Sequence, residues 1–360
     1  MGRLVLATLS GKKVKIRRIR SKDESPGLHE FEASLLRLLD KITNGTTIAI
    51  SVSGTTLVYE PGILQGGAFE HDCNNERAIG YYLEILLCLA PFCKQPVKAT
   101  LKGVTNDNAD PSVDLLKETS LPVMRQFGIL NGLELKIVKR GAAPDGGGEI
   151  IFQSPVCRKL NCAQFMQLEK IKRVRGMAYA TRVSPQITNR LVDSSRAILN
   201  SFVPDVYIYT DHRKGVQSGN SPGFGLCLYA ETTSGHILSA EASTARSMSD
   251  MPLVPEDLGR LAANRLMEEI HQGGLVSSSS QYLAALFMAL GDQNVGKIVM
   301  GSLTPYTIQF MRHLRDFFGV MFKFDIITPD PDELGGRQGA SKVLLTCVGV
   351  GFSNISKTIR

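Results

Sequence analysis

The sequence predicts an α/β (α+β) fold in which three repeated units carry an inserted, smaller α/β subdomain. Three observations lead there. The order helix, strand, helix, hairpin recurs three times along the 360 residues. Residues 177–274 interrupt the recurrence with a different order. With 43% hydrophobic and 21% charged residues, the chain has the composition of a globular protein with a large core or two domains. The repeat domain is expected at residues 1–176 and 275–360, and the insert at 177–274. The recurrence lies in the pattern of elements, since residue identities do not visibly repeat.

Leu4–Ala7 form a short apolar stretch that reads as a strand or helix start. Residues 13–20 (KVKIRRIR) follow as a basic strand, with Val14 and Ile16 on one face and Lys13, Lys15 and Arg17 on the other. A helix is expected from Ser25-Pro26 to about Ile42, its stripe formed by Phe31, Leu35, Leu36, Leu38 and Leu39. Strands at 47–52 and 56–60 close the first cycle around Ser53-Gly54. In the second, a helix at 78–89 and a strand at 97–101 precede a helix that Asp110-Pro111 starts and that runs to Phe127 with a kink at Pro122. Strands at 133–138 and 149–153 flank a glycine-rich turn. The third cycle has a helix at 281–290, a strand at 297–300, a helix at 306–318 and strands at 320–327 and 342–349. The acidic, glycine-rich join at 330–340 reads as a mobile loop. Within the insert, a helix at 185–202 and a strand at 206–210 precede a Gly/Ser loop at 215–225. Strands at 226–231 and 236–241, a disordered-looking stretch at 242–251 and a helix at 255–271 complete it.

Seven cysteines, an odd number scattered through apolar runs, argue against a disulfide framework. Cys157 and Cys162 lack the spacing of a zinc knuckle, and no metal site is expected. No segment approaches the roughly 20 apolar residues that span a bilayer, so no membrane role is expected and a cytosolic or nuclear compartment follows. The net charge of +7 suits RNA or an acidic partner. Two basic clusters stand out: Lys12, Lys13, Lys15, Arg17, Arg18, Arg20 and Lys22; and Lys170, Lys172, Arg173, Arg175 and Arg182. Arg312 and Arg315 form a third. Each reads either as a solvated face or as a salt-sensitive phosphate contact. Aromatic residues beside them are sparse, and no stacking motif is visible.

Arg140-Gly141-Ala142-Ala143-Pro144-Asp145-Gly146-Gly147-Gly148-Glu149-Ile150 is the sharpest motif. Its three consecutive glycines could present N–H groups to an anion, although physics alone favours a tight hairpin turn. The run resembles the signature of the RNA 3′-terminal phosphate cyclase family. Ile19-Arg20 with Pro26-Gly27-Leu28 resembles the start of the family's first helix, Pro61-Gly62 with Gly66-Gly67 its next element, and residues 103–112 (GVTNDNADPS) the segment after that. The resemblance covers nearly the whole chain and implies three βαβαββ units plus an insert.

It also implies departures. Active cyclases use a histidine nucleophile that takes AMP from ATP, and such covalent chemistry needs a nitrogen of this kind. Here Tyr306 stands at that position, and His313 lies about 10 Å further along the helix. Asp23, Ser25 and Glu32 stand where the family carries more basic residues and a histidine, which disfavours phosphate. The family's glycine-rich N-terminal segment, with its acidic residue, has no counterpart before Met1, as an isoform or a truncation would leave it.

The combination resembles the cyclase-like branch. Leu4–Gly11, Ser221-Pro222-Gly223 and residues 348–354 look like that branch too. It implies a nucleolar protein without cyclase activity or cofactor that supports early pre-rRNA cleavages toward 18S rRNA. Implied partners are a ribosome-biogenesis GTPase, the small-subunit processome with its snoRNP, and pre-rRNA. Two rivals stand beside it: an endoribonuclease using Asp316 with Arg312 and Arg315, and an active cyclase with a displaced nucleophile. Arg20 and the Gly146–Gly148 turn are the candidates for a vestigial phosphate pocket. Arg140, Lys172, Arg173, Arg175, Arg312 and Arg315 are the further anion or RNA candidates.

Overall fold

The structure, a computed structural model, describes residues 1–167, 169–244, 254–328 and 339–354. It opens with α1 (Gly2–Ser10), β1 (Val14–Ile16), α2 (Glu30–Ile42), the short β2 (Thr43–Asn44), β3 (Thr47–Ile50), β4 (Leu57–Glu60) and the short β5 (Ile63–Leu64). The second unit is β6 (Gly67–Asp72), α3 (Ile79–Leu89), β7 (Val97–Gly103), α4 (Val113–Gln126), β8 (Glu134–Lys139) and β9 (Gly148–Ser154). Then β10 (Gln164–Phe165) leads into the insert: β11 (Ile171–Thr181), α5 (Gln186–Leu199), β12 (Val206–Arg213), β13 (Gly223–Thr232), β14 (Ile237–Ser243) and α6 (Pro255–Gln272). The chain returns with α7 (Gln281–Leu290), β15 (Val295–Met300), α8 (Pro305–Phe318), β16 (Lys323–Ile327) and β17 (Lys342–Val348).

Two sheets share one plan. Their orders, β6-β7-β9-β8 and β10-β15-β17-β16, place the four strands of a unit as first, second, fourth, third. In each, the first two strands are parallel and the others antiparallel. The sheet β1-β4-β3 has the arrangement of the last three strands of that plan. The repeated βαβαββ unit is therefore a property of the backbone, and the fold is α+β as expected.

One helix from each unit is apolar on nearly all sides. All residues of α7 are buried, as are all of α3 but Glu84, and α1 buries Leu4 to Leu9. A helix hydrophobic all round must lie inside; α3 packs against both α1 and α7, and one continuous core joins the three units. The insert has a core of its own, formed where α5 and α6 cover one face of the sheet β12-β11-β13-β14. Strand β11 runs unbroken across the division expected at 176/177, so the chain enters this sheet at Ile171.

Several boundaries differ from expectation, each for a local reason. Helix α2 begins at Glu30 rather than Ser25, because Gly27 adopts a φ of 99° and His29 with Glu32 forms a capping box. The N-terminal apolar run is helical and ends at Gly11, whose φ is 66°. Strand β16 starts only at Lys323, after Gly319 closes α8 in a left-handed conformation. Strands β6 and β10 were not expected: β6 buries only His71 fully, and β10 has two residues. Most of the loop expected at 330–340, and residues 245–251 of the stretch expected to be disordered, lie outside the described residues.

Candidate functional site

The first basic cluster borders a cavity of about 250 Å³ between α1, the loop after β1, and α2. Arg3, Arg17, Arg18 and Arg20 reach it, over an apolar floor that includes Leu4, Ile16, Leu28 and Tyr81. Arg18 and Arg20 hold φ values of 58° and 43°, which non-glycine residues seldom adopt. The cavity is nevertheless not an open phosphate trap. Arg20 Nη1 and Nη2 donate to the two oxygens of Glu32 at 2.8 and 2.6 Å, and Nη1 also donates to the Gly27 carbonyl at 2.7 Å. This fork is the geometry in which a guanidinium takes a phosphate, and a carboxylate of the chain itself fills it. Burial works against the charged Glu32, but the bonds from Arg20 and the His29 N–H outweigh it and hold the carboxyl below its usual range.

Tyr306 stands at the first turn of α8, half-exposed, against Tyr282 and Phe310 with ring centroids 5.3 and 6.2 Å away. Its hydroxyl lies 3.5 Å from Met1 Sδ. Beneath these rings Glu84 is pushed up to about 8, by burial first and then by Asp110. His313 Nε2 lies 3.3 Å from Gln309 Nε2, and burial with the charge of Arg3 lowers its pKa. Arg312 and Arg315 line a different groove, of about 410 Å³, with Ile308, Met311, Met321 and Phe324. Asp316 pairs with Arg315 at 3.4 Å, both more than half exposed.

The glycine turn is closed by contacts to the insert. Gly146 and Gly147 take φ values of 61° and 79°, and the turn docks on the insert. Gly146 O accepts from Asn220 N at 2.9 Å, Asp145 N donates to Ser221 Oγ at 3.0 Å, and Asp145 O accepts from Asn75 and Asn220. A Cβ on Gly147 would meet the Asn220 side chain at 2.9 Å. The hairpin-turn reading is the one the geometry supports, and the turn is not part of the lining of the cavity that Arg20 borders.

Arg140 is likewise engaged within the protein. Its side chain is 3% exposed, and its donors are committed. Nε donates to Asp211 at 2.7 Å, Nη1 and Nη2 to Asp114 at 2.7 and 2.8 Å, and Nη1 to Asn106 at 3.3 Å. Asp114 belongs to the second unit and Asp211 to the insert, so Arg140 pins one to the other. Burial opposes the Asp114 charge, yet Arg140 keeps that carboxyl below its ordinary value.

In the second basic cluster, Arg173 pairs with Glu231 at 2.6 Å and Arg175 pairs bidentately with Asp205 at 2.9 Å, while Lys172 is exposed. Arg182 donates to Gly219 O at 2.7 Å. The aromatic residues that looked sparse in sequence come from another strand. The parallel pairing of β11 and β12 sets Arg175 beside Tyr207 and Met177 beside Tyr209. These tyrosines are 56% and 49% exposed. Their alternation in Val206-Tyr207-Ile208-Tyr209 was the available signal, one apolar face in and one aromatic face out.

Residues 2–324 match the family model described as RNA 3'-terminal phosphate cyclase. The chain is 59% identical to the RNA 3'-terminal phosphate cyclase-like protein of Homo sapiens, over 99% of this chain and 95% of the relative. It is 51% identical to the probable RNA 3'-terminal phosphate cyclase-like protein of Drosophila melanogaster, over 99% and 94%. It is 40% identical to the rRNA processing protein rcl1 of Schizosaccharomyces pombe, over 99% and 95%. The chain thus belongs to the RNA 3′-terminal phosphate cyclase family, and within it stands with the cyclase-like proteins.

Proposed function

We propose that this chain is a ribosome-biogenesis factor of the small-subunit processome that supports the early pre-rRNA cleavages toward 18S rRNA without acting as a cyclase. The kinship carries the reading: the chain aligns end to end with cyclase-like proteins, one of them named for rRNA processing. Two features of the site support it. On the family resemblance, Tyr306 stands at the position where active cyclases carry their histidine nucleophile. A resident carboxylate occupies the guanidinium fork of Arg20 that would otherwise receive phosphate. Such a factor acts in the nucleolus, with a ribosome-biogenesis GTPase and the processome with its snoRNP as partners.

The test has two readouts. Depleting the protein in its own cells should lower 18S rRNA and accumulate the uncleaved early precursors. A Tyr306→Phe chain, which has no phenolic oxygen, should restore the normal pattern. The purified chain, incubated with radiolabelled ATP and an RNA bearing a 3′-phosphate, should take up no AMP and yield no cyclic phosphate. A protein–AMP adduct would overturn the non-catalytic reading, and an unchanged precursor pattern on depletion would overturn the role in ribosome assembly.

A further inference from the structure

The insert sheet has two unlike faces. One is covered by α5 and α6 and holds the insert's core. On the other, Arg175 and Met177 of β11 lie in register with Tyr207 and Tyr209 of β12, Arg175 also with Tyr229 of β13, and Arg173 with Glu231. At the Tyr179 end, this second face packs on the second unit through Arg140 and Glu241, whose carboxylate accepts from Ser112 N at 3.0 Å. At the other end it is open. Tyr207 and Tyr209 meet edge to face at 4.7 Å and leave about half of each ring in water. Exposed rings on an uncovered sheet cost solvation that folding does not recover.

The open end runs into a groove of about 490 Å³ between this sheet and the α4–β8 side of the second unit. Lys117, Arg125, Lys136 and Arg213 line it, with Met177 linking it to the tyrosines. Three of its four acids are answered from within, Asp211 by Arg140 and Arg213, Asp114 by Arg140, and Glu118 by Lys117 at 3.7 Å, and the fourth, Glu134, is exposed. Arg125 and Lys136 have no carboxylate partner among the described residues. An aromatic pair on an open sheet beside unpaired cations has the chemistry of a single-stranded nucleic-acid platform: rings offer faces to bases, and cations meet the backbone phosphates.

We infer that this face of the insert, with Tyr207 and Tyr209 as the stacking rings and Arg125 and Lys136 as phosphate contacts, binds single-stranded RNA. Arg173 and Arg175, neutralised by Glu231 and Asp205, tie β11 to its neighbours rather than holding phosphates. Recognition is by stacking and charge, so it is only weakly dependent on sequence. The inference rests on the RNA-processing role proposed above and gives it a surface.

A fluorescein-labelled single-stranded RNA dodecamer of mixed sequence, titrated with the whole chain at low salt and followed by anisotropy, tests it. Because stacking contributes about 1–3 kcal/mol per base, Tyr207→Ala with Tyr209→Ala should weaken binding by roughly 10-fold or more. Tyr207→Phe with Tyr209→Phe, which keeps both rings, should bind within about twofold of the wild type. Lys136→Glu should weaken binding and lower the salt dependence by about one counterion. Ultraviolet crosslinks should fall on the peptide carrying residues 206–213. Absence of RNA binding by the wild type, or an alanine pair that binds as tightly as the wild type, would overturn the inference, and a face that captures a peptide but no RNA would do the same. The anisotropy titration reads this surface alone, whereas the precursor pattern on depletion reads the biological role, so the two can fail separately.

Discussion

Replacing Arg140 with methionine removes the pin between the second unit and the insert while keeping the length and much of the volume of the side chain. Three charge-assisted bonds of 2.7 to 2.8 Å to Asp114 and Asp211 disappear. Asp211 keeps Arg213 at 2.7 Å and a side chain 20% exposed, so it re-solvates at small cost. Asp114 does not: its side chain is 9% exposed, and its remaining partner is the Asn106 amide at 2.9 Å. Stranding one member of a buried pair costs about 3–5 kcal/mol, a large share of the roughly 5–15 kcal/mol that holds a domain together. Urea unfolding of Arg140→Met should show a loss in that range. Hydrogen exchange should speed up in 141–148 and 217–221, where the glycine turn meets the insert. Arg140→Met combined with Asp114→Leu should recover more than half of the loss, because no charge is then left buried. A loss under about 1 kcal/mol, or a double variant whose loss is the sum of the two singles, would refute the pin.

Other outcomes follow from single sites. A Cβ on Gly80 would lie 1.8 Å from the Pro111 carbonyl oxygen, so Gly80→Ala must push α3 away from the start of α4; urea unfolding should show roughly 3 kcal/mol lost, and an unchanged midpoint would contradict the close approach. Glu241 is pushed up to about 7, by burial ahead of all else. Its folded value lies above its unfolded one, so its contribution is complete below about pH 4.5 and is lost as pH rises through 7. Glu241→Gln should flatten the decline in thermal midpoint over that window. Glu169 behaves oppositely: burial resists its charge, but bonds from Thr232, Ser234 and His236 bring it down to about 2. Its contribution is present above the unfolded value and is lost as pH falls toward 2, so Glu169→Gln should flatten the acid limb of the same profile.

The architecture was legible because its strongest signals are local. The apolar runs of α3 and α7 and the stripe of α2 each announce themselves within about a dozen residues, and the β8–β9 hairpin within about twenty. Edge strands such as β6 escaped because half-exposed residues carry little hydrophobic pattern. The site was less legible, because charge in a sequence has no sign of its partner. Arg20 and Glu32 are twelve positions apart, Arg140 and Asp211 seventy-one. Both arginines read as free cations until the fold supplied the carboxylates. The glycine turn shows the same limit: its φ angles were foreseeable, but Asn220 and Ser221, which close it, arrive from the insert. Tyr207 and Tyr209 were passed over because only the β11–β12 register puts them beside Arg175.

The third unit is cut open by the insert. Its first strand, β10, is only two residues long and pairs with Lys297 and Ile298 of β15, across everything from β11 to α7. Gly274 bridges to Met300 on the way back. Closing a floppy loop of that length costs about 2 kcal/mol more than closing one of a dozen residues, and two residue pairs cannot repay it. The insert's own compact body brings the two ends together and shortens the gap to a hinge. During synthesis the order is then imposed by the chain: first two units, then the insert, and only afterwards the sheet that joins β10 to β15. A variant that loosens the insert would therefore slow the completion of the third unit, although none of its own residues had changed.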